Sequence, residues 1–172
     1  MRFDTARFDR EQLPALLGQV LSGEPMGPDL GYSLEAQEAM YALAYILYSQ
    51  RRFEDAMRLF CLLVMCDHLD RRYHMGMGAC LQVQGQHAQA IRSYGAAANL
   101  DMTDPAPFMH VAECHLAVGD RRLARVALDY ALVQARAHER HRSHVPRLEA
   151  MTALLDADRP KADTTPTPQE GG

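Results

Sequence analysis

The residues that could perform chemistry or hold a metal are few in this chain, and their spacing suits neither task well. Cys61, Cys66 and His68 could contribute to a zinc site, but structural zinc needs four ligands in tight pairs such as C-x2-C, and no second pair follows. Serine, cysteine and histidine occur elsewhere without the context of a catalytic triad. We therefore predict that the protein is not an enzyme and that it carries no metal and no cofactor.

A run of histidines near the C-terminal end has a simpler explanation than a ligand site. In the string HERHRSH, His138, His141 and His144 recur every three residues, with arginines between them. A metal site or a pH-responsive cluster is one reading of this spacing. The reading that we prefer is a solvated, basic helix end, because cations are favourable near the C-terminus of the helix dipole.

Three tyrosines have the spacing of a binding surface. Tyr41, Tyr45 and Tyr48 fall at i, i+4 and i+7, which places them on one face of a helix. Tyrosine combines a large apolar ring with a polar tip, so this face is suited to binding a partner. The alternative is that the three rings belong to the hydrophobic core. The neighbouring positions Met40, Leu43, Ala44 and Leu47 are predicted to pack inward, against the next helix.

The helices that position these tyrosines belong to a repeat. Ala56, Ala90 and Ala124 are evenly spaced along the chain, and each is followed four residues later by a large apolar side chain. Their spacing, about 34 residues, is the period of the tetratricopeptide repeat, a helix-turn-helix unit. We predict an all-α superhelix of three such repeats, over residues 37–70, 71–104 and 105–138, with flanking N- and C-terminal helices.

The turns inside the predicted repeats have related sequences. Gly85 and Gly119 stand where the first helix of a repeat must end in a left-handed conformation, and Arg51 takes this place in the first repeat. Small residues fill the stretch from Gly78 to Ala97 at helical spacing, where a core helix would normally carry Leu or Phe. Such residues allow paired helices to approach closely.

First helices line the concave side of such a stack, so the tyrosine positions can be carried into the later repeats. The corresponding positions are Met75, Ala79 and Gln82 in the second repeat. In the third repeat, the position that corresponds to Tyr41 is Met109. Methionine adapts its shape, so this groove is suited to an extended apolar peptide. The predicted peptide-binding groove therefore comprises Tyr41, Tyr45, Tyr48, Met75, Ala79, Gln82 and Met109.

The flanks differ from the repeats. In the N-terminal region, residues 1–32, the segment 10–22 predicts an amphipathic helix and the Gly- and Pro-rich stretch after it a linker; Ser33 could cap the helix that follows. Residues 33–157 hold the repeats and a C-terminal capping helix, and residues 158–172 are expected to be disordered. The apolar stripe of the capping helix consists of Val145, Leu148, Met151, Leu154 and Leu155.

The composition limits the possible cellular location of the protein and the kinds of partner it can bind. The 172 residues carry 18 Lys and Arg against 22 Asp and Glu, which gives a formal net charge of −4. The chain therefore lacks the excess of basic residues that is typical of nucleic-acid binding. No apolar run is long enough to cross a bilayer, and the N-terminus lacks a continuous apolar signal region. The four cysteines are too sparse for a disulfide scaffold. We expect a cytoplasmic protein that binds neither membrane nor nucleic acid.

Several strings resemble a known family. YALAYILYSQRRFEDAMRLF, CDHLDRRYHMGMGACLQVQGQHAQAIRSY and HVAECHLAVGD are similar to the tetratricopeptide chaperones of bacterial type III secretion, the class that serves pore-forming translocators. The resemblance covers residues 33–135. It includes the pair Asp67-His68, where an ordinary repeat favours proline, and the motifs GAC and AEC around Cys80 and Cys114.

The resemblance implies a cytoplasmic chaperone that clamps an extended hydrophobic segment of its client in the concave groove. In that family the tyrosines matching Tyr41, Tyr45 and Tyr48 line the groove. The N-terminal helix often mediates homodimer formation, which would give the stripe Leu13, Leu16, Leu17 and Val20 a role. Some members also bind a transcriptional regulator. The repeat by itself leaves open a different function, that of a general scaffold joining folded partners.

Overall fold

The computed structural model describes residues 31–157, and this part of the chain is helical throughout, without a strand. It contains seven α-helices and one 3-10 segment, Glu139–His144, which precedes the last helix. The helices are α1 (Leu34–Ser49), α2 (Phe53–Cys66), α3 (Arg71–Val83), α4 (His87–Leu100), α5 (Pro105–Ala117), α6 (Arg121–Ala137) and α7 (Val145–Ala157). The predicted all-α repeat fold is confirmed.

The helices pack as three successive hairpins followed by one more helix. Within each hairpin α1 packs on α2, α3 on α4 and α5 on α6, and the hairpins stack through α2 on α3 and α4 on α5. The last helix, α7, packs on α6. Each helix therefore contacts its neighbours in sequence, as expected for a solenoid of short repeats.

The turn inside each hairpin is the same in all three repeats. Arg51, Gly85 and Gly119 have φ angles of 63°, 75° and 80°, which end α1, α3 and α5 in the left-handed region. The sequence prediction for these three positions is confirmed. Glycine adopts this conformation without a steric penalty, whereas Arg51 is the only non-glycine with positive φ among the described residues.

Side chains cap the starts of the first helices. The Ser33 hydroxyl accepts a hydrogen bond from the amide of Ala36, as predicted, and Asp70 and Asp104 do the same for α3 and α5. The first residue of α3 is Arg71, and α5 begins one repeat later at Pro105. Asp67 and His68, the pair that the family resemblance singled out, lie in the loop between α2 and α3.

Small residues set how closely the helices approach. Ala56, Ala90 and Ala124 are fully buried, and the side chains four residues later, Phe60, Tyr94 and Leu128, are at most 2% exposed. In α3 a Cβ built on Gly78 would lie only 2.7 Å from the ring of Tyr94, and one on Gly76 would overlap the ring of Phe60. At these two positions of α3, an aromatic ring of the following or the preceding helix occupies the space that a side chain would need.

Two apolar residues lie where the sequence did not place them. Leu43 is 48% exposed and does not pack against α2, although Ala44 and Leu47 beside it are buried. In α7, Leu148 and Leu155 are buried against α6, whereas Leu154 is 72% exposed. Both errors have the same cause: a helix in contact with one neighbour buries a narrower stripe than the count of its apolar residues suggests.

The predictions for the two ends of the chain lie outside the described residues. These are the amphipathic helix at 10–22 with its stripe Leu13, Leu16, Leu17 and Val20, and the tail from 158 to 172. Among residues 31–157, none of the helices combines the length and the apolar character needed to cross a membrane.

Candidate peptide-binding groove

A cavity of about 310 Å³ lies between α1 and α3 and contains most of the predicted binding residues. We call it the groove cavity. Aromatic rings form much of its wall, which suits it to an apolar side chain of a ligand. The groove cavity is lined by Tyr41, Tyr45, Tyr48, Phe60, Arg71, Arg72, Met75, Gly76 and Ala79.

The three tyrosines differ in how they serve this surface. Tyr45 is 63% exposed and presents most of its ring to solvent. Tyr41 and Tyr48 are half-buried, and both pack on the core cluster around Phe60. The ring of Tyr41 lies 6.1 Å from that of Phe60 and 5.9 Å from that of Tyr73, and Tyr48 lies 5.4 Å from Phe53. Tyr41 and Tyr48 therefore line the groove cavity and pack on the core at the same time.

The floor of the groove cavity is formed by α2 and α3. The Phe60 ring lies directly against Gly76, where even a methyl group would collide with it, and both residues line the groove cavity. Met75 is half-buried, and Ala79 follows one turn later on the same face of α3. A small residue at position 79 leaves room above the floor, which a larger side chain would fill.

Two arginines form the rim at the start of α3. The guanidinium of Arg72 lies 4.9 Å from the centre of the Tyr41 ring and pairs with Glu38 and Asp70. Arg71 pairs with Asp104 and, at 3.5 Å, with Asp101 of the next loop. Hydrogen bonding to Arg72 holds the pKa of the Glu38 carboxyl below its ordinary value. The rim is therefore polar and internally neutralised rather than a free cationic patch.

Gln82, also predicted for the groove, belongs to a polar network beside the groove cavity. Its amide oxygen accepts a hydrogen bond from the Tyr94 hydroxyl at 2.7 Å, and its amide nitrogen donates to Glu113 at 3.1 Å. Glu113 also pairs with His110 at 2.9 Å and with Arg147 at 2.6 Å. Chiefly through the His110 hydrogen bond, the pKa of Glu113 falls to about 2.

Met109 does not lie in the groove. It is 3% exposed and belongs to the core cluster that α5 and α6 form with Leu148 of α7. Met109 lies one repeat after Met75, which is half-buried, so the repeat period alone does not fix how deeply the side chain is buried. The groove cavity therefore contains five of the seven predicted residues; Gln82 is instead bonded to Tyr94 and Glu113, and Met109 is buried.

Sequence reasoning missed four residues of the lining. Arg71 and Arg72 precede Met75 by four and three residues, so helical spacing alone could have placed them on the face of Met75 and Ala79. Phe60 was assigned to the core only, and Gly76 to helix packing. Both also line the groove cavity, where the Phe60 ring lies directly against Gly76.

The described residues offer no alternative chemical site. No group of three or more His, Cys, Asp or Glu side chains between residues 31 and 157 has a geometry that could hold a metal ion. All four cysteines are free thiols, and Cys66, Cys80 and Cys114 are buried. Burial raises the pKa of Cys80 and of Cys114 to about 11, so these thiols stay protonated and unreactive near neutral pH.

Fold and groove together define a tetratricopeptide-type protein with an aromatic concave site, and comparison with known proteins narrows the class. No family model matches the chain. Low calcium response locus protein H of Yersinia pestis is 40% identical over 88 residues, which are 51% of this chain and 52% of that protein. The match thus spans about half the length of the curated relative.

Solved structures match over nearly their full length. PcrH, a protein of Pseudomonas aeruginosa solved in complex with the chaperone binding region of PopD, shares 37% identity with a TM-score of 0.71 over 74% of this chain and 96% of that one. The type III secretion translocator chaperone SycD of Yersinia enterocolitica shares 31%, with a TM-score of 0.72 over 77% and 98%. The chain belongs to the family of type III secretion translocator chaperones.

Proposed function

We propose that the protein is a cytoplasmic chaperone without enzymatic activity that binds an extended hydrophobic segment of a pore-forming translocator in its groove cavity. Binding keeps the translocator soluble and separate from its partners until secretion. The client is a protein that must later insert apolar helices into a membrane. A protein whose apolar surface stays exposed in the cytoplasm aggregates. Sequestering part of it lowers the concentration of the aggregating form by mass action.

The observation that carries this proposal is the exposed ring of Tyr45 above the groove cavity. A tyrosine that is 63% exposed beside a cavity of about 310 Å³ offers both a wall and a pocket for one apolar anchor of a peptide. PcrH has been solved with the chaperone binding regions of PopD and PopB, and SycD with a peptide of the translocator YopD. Those complexes support an equivalent client segment for this chain.

The expected affinity is moderate. Each buried anchor contributes about 1.5–3 kcal/mol before the entropic cost of ordering the peptide is subtracted. A segment with three anchors is therefore expected to bind with a dissociation constant nearer micromolar than picomolar. Such a complex is strong enough to protect the client and weak enough to release it at the secretion apparatus.

We further propose that the protein forms a homodimer through its N-terminal segment. The stripe Leu13, Leu16, Leu17 and Val20 would supply the apolar contact. A dimer has been described for SycD, which supports self-association in a relative of this chain.

Co-expression with candidate clients tests the main proposal. Each hydrophobic translocator of the source bacterium is produced with the wild-type protein, with Tyr45→Ala, and with Val133→Ala as a control of similar exposure outside the groove. Size-exclusion chromatography of the soluble fraction then reports co-elution. We expect one or more translocators to be soluble and to co-elute with the wild type and with Val133→Ala. With Tyr45→Ala, the same translocators should be missing from the soluble fraction.

Two results would overturn the proposal. If no translocator becomes soluble with the wild-type protein, the repeat serves other partners, as a general scaffold would. If Tyr45→Ala rescues a translocator as well as the wild type does, the client binds elsewhere on the molecule. Tyr41→Ala is a poorer probe, because Tyr41 packs on Phe60 and Tyr73 and its loss would also lower stability.

A further inference from the structure

The outer face of α1 is apolar and exposed. Ala39, Leu43 and Ile46 follow one another at i, i+4 and i+7, and all three are exposed, Leu43 to 48% and Ile46 to 49%. This face, which we call the outer face of α1, lies at the N-terminal end of the repeat stack. Adjacent apolar side chains on one helix face mark a contact surface.

The same positions in the later repeats are covered. The counterpart of Ile46 is Cys80 in the second repeat and Cys114 in the third, and both cysteines are fully buried. The counterparts of Ala39 are Tyr73, which is 1% exposed, and Pro107, which is also buried. The counterparts of Leu43, Met77 and Val111, are half-buried, so among the three repeats all three positions of this face are exposed only in the first.

The helix before each of these later first helices provides the cover. Above α3 it is α2: its Cys61 Sγ lies 3.9 Å from Met77 Sδ, and Met77 is the counterpart of Leu43. Above α5 it is α4, whose Tyr94 lies in one core cluster with Cys114, the counterpart of Ile46. The repeat architecture therefore reserves a place for a helix in front of α1, and no described helix fills it.

The chain contains a segment with the properties that this place requires. Residues 10–22 carry a stripe of Leu13, Leu16, Leu17, Val20 and Leu21, which predicts one apolar helical face. Thirteen residues make about 20 Å of helix. That length matches the 14 residues of α2 and of α4, the helices that cover the equivalent faces.

We infer that residues 10–22 dock, as a helix, on the outer face of α1 of the same chain, where they take the place that α2 takes on α3. The inference concerns the N-terminal end of the stack and does not depend on which client the groove cavity binds. It assigns a receiving surface, Ala39, Leu43 and Ile46, to leucines that otherwise have no known contact.

The connection to α1 is long enough for docking within one chain. Four residues, 67–70, join α2 to α3, and four, 101–104, join α4 to α5. Eleven residues, 23–33, separate the segment from α1. Because an extended residue spans about 3.3 Å, this linker reaches well beyond the roughly 10 Å between packed helices.

The inference changes how the proposed dimer must form. Leucines that are docked on α1 are not available to a second copy, so the capped monomer and the N-terminal dimer are alternative states of the same stripe. A dimer would form by release of the segment, and its population would rise with protein concentration.

Photo-cross-linking of the full-length protein tests the inference. A photoreactive benzoylphenylalanine replaces Ile46, and the same residue at Val126, an exposed position on α6, serves as the control. Equal amounts of protein with natural and heavy isotopes are mixed at low concentration, illuminated and digested. Mass spectrometry identifies the peptide attached to the probe and shows whether both halves come from one chain.

We expect the probe at position 46 to attach to residues 10–22 of its own chain, and the probe at 126 to leave that segment unlabelled. Cross-links that mix natural and heavy chains would show that a second copy fills the surface, which overturns docking within the chain. Absence of any cross-link between position 46 and residues 10–22 would overturn the inference altogether.

Stability provides a second, independent measurement. An aspartate introduced at an exposed helix position has little effect on the stability of the fold, but a buried unpaired charge is strongly destabilising. We expect Ile46→Asp to lower Tm by about 5 °C or more, and the control Val126→Asp by much less. Since Leu16 and Ile46 would share one contact, the double variant with Leu16→Asp should lose little more than the larger single loss. Equal effects of Ile46→Asp and Val126→Asp would contradict the inference.

Discussion

Gly78 of α3 lies directly against the ring of Tyr94 of α4: a Cβ built on Gly78 would come within 2.7 Å of Cε1 and 2.8 Å of Cδ1 of that ring. Tyr94 is 1% exposed, and its hydroxyl is bonded to Gln82, so the ring has no free space to move into. The closeness of the two helices in the second repeat thus depends on a missing side chain.

Replacing Gly78 by Ala should therefore destabilise the protein. Overpacking a tight core contact costs about 1–3 kcal/mol, which outweighs the gain of about 1 kcal/mol from the better helix propensity of alanine. Urea denaturation measures the difference. The matched control is Gly95→Ala in α4, where an added Cβ meets nothing within 4 Å. That variant should gain stability, and an equal response of the two variants would show that packing does not decide the residue at position 78.

Arg51 is a second position at which a single change should stabilise the protein. Its φ of 63° is unfavourable for a residue with a Cβ, and Gly85 and Gly119 occupy the equivalent positions of the other repeats. Arg51→Gly is expected to raise the free energy of unfolding by about 1 kcal/mol, measured by denaturant titration. The neighbouring Arg52→Gly is the control: Arg52 has a φ of −85° and an ion pair with Asp55, so it should lose stability. A destabilised Arg51→Gly would contradict this view of the turn.

Glu113 should make the protein sensitive to acid. Its pKa is lowered from 4.5 to about 2, first by the hydrogen bond from His110 and then by Gln82 and Arg147. A carboxyl whose pKa is depressed in the folded state stabilises the fold above its unfolded pKa, and that stability is lost as pH falls from about 4.5 towards 2. At 23% exposure, solvent screening reduces the contribution to about 1–3 kcal/mol.

The test compares urea denaturation at pH 3 and pH 7 for the wild type, Glu113→Gln and Glu149→Gln. Glu149 is 50% exposed and paired with Arg136, which makes it a surface control. We expect Glu113→Gln to lose stability at pH 7 and to depend less on pH than the wild type. If Glu113→Gln and Glu149→Gln show the same pH dependence, the network around Glu113 is not the acid-sensitive element.

The repeat could be predicted from sequence because its signals are local. Alanines at a fixed period mark the closest helix contacts, and Gly85 and Gly119 mark left-handed turns, so each can be recognised from a few residues. The tyrosine face was likewise visible, because helical spacing fixes the direction of Tyr41, Tyr45 and Tyr48 on α1.

Depth of burial could not be predicted in the same way. Spacing gives Tyr41 and Tyr45 one face, but only the neighbouring Phe60 and Tyr73 decide that Tyr41 is half-buried and Tyr45 exposed. Spacing placed Met109 in the groove, but it is buried in a core cluster with Leu128 of α6 and Leu148 of α7. Both failures involve contacts between distant parts of the chain.

Filling the groove cavity should weaken client binding without unfolding the protein. Ala79 lines the groove cavity and is not fully buried, so Ala79→Phe can place its ring in the space proposed for the client anchor. We expect at least about tenfold weaker binding, which corresponds to the loss of one anchor of about 1.5–3 kcal/mol. Ala88→Phe, on the exposed side of α4, is the matched control for an added aromatic ring. Circular dichroism confirms that both variants are folded, and unchanged affinity for Ala79→Phe would place the client elsewhere.

The most direct measurement is isothermal titration of the wild type, Tyr45→Ala and Val133→Ala with a peptide covering the segment of the co-eluting translocator that the chaperone protects from proteolysis. We expect 1:1 binding per chain for the wild type, an unchanged dissociation constant for Val133→Ala, and one that is about tenfold to a hundredfold higher for Tyr45→Ala, as for the loss of one apolar anchor. The same dissociation constant for all three proteins would contradict the proposal that the groove cavity between α1 and α3 holds the client.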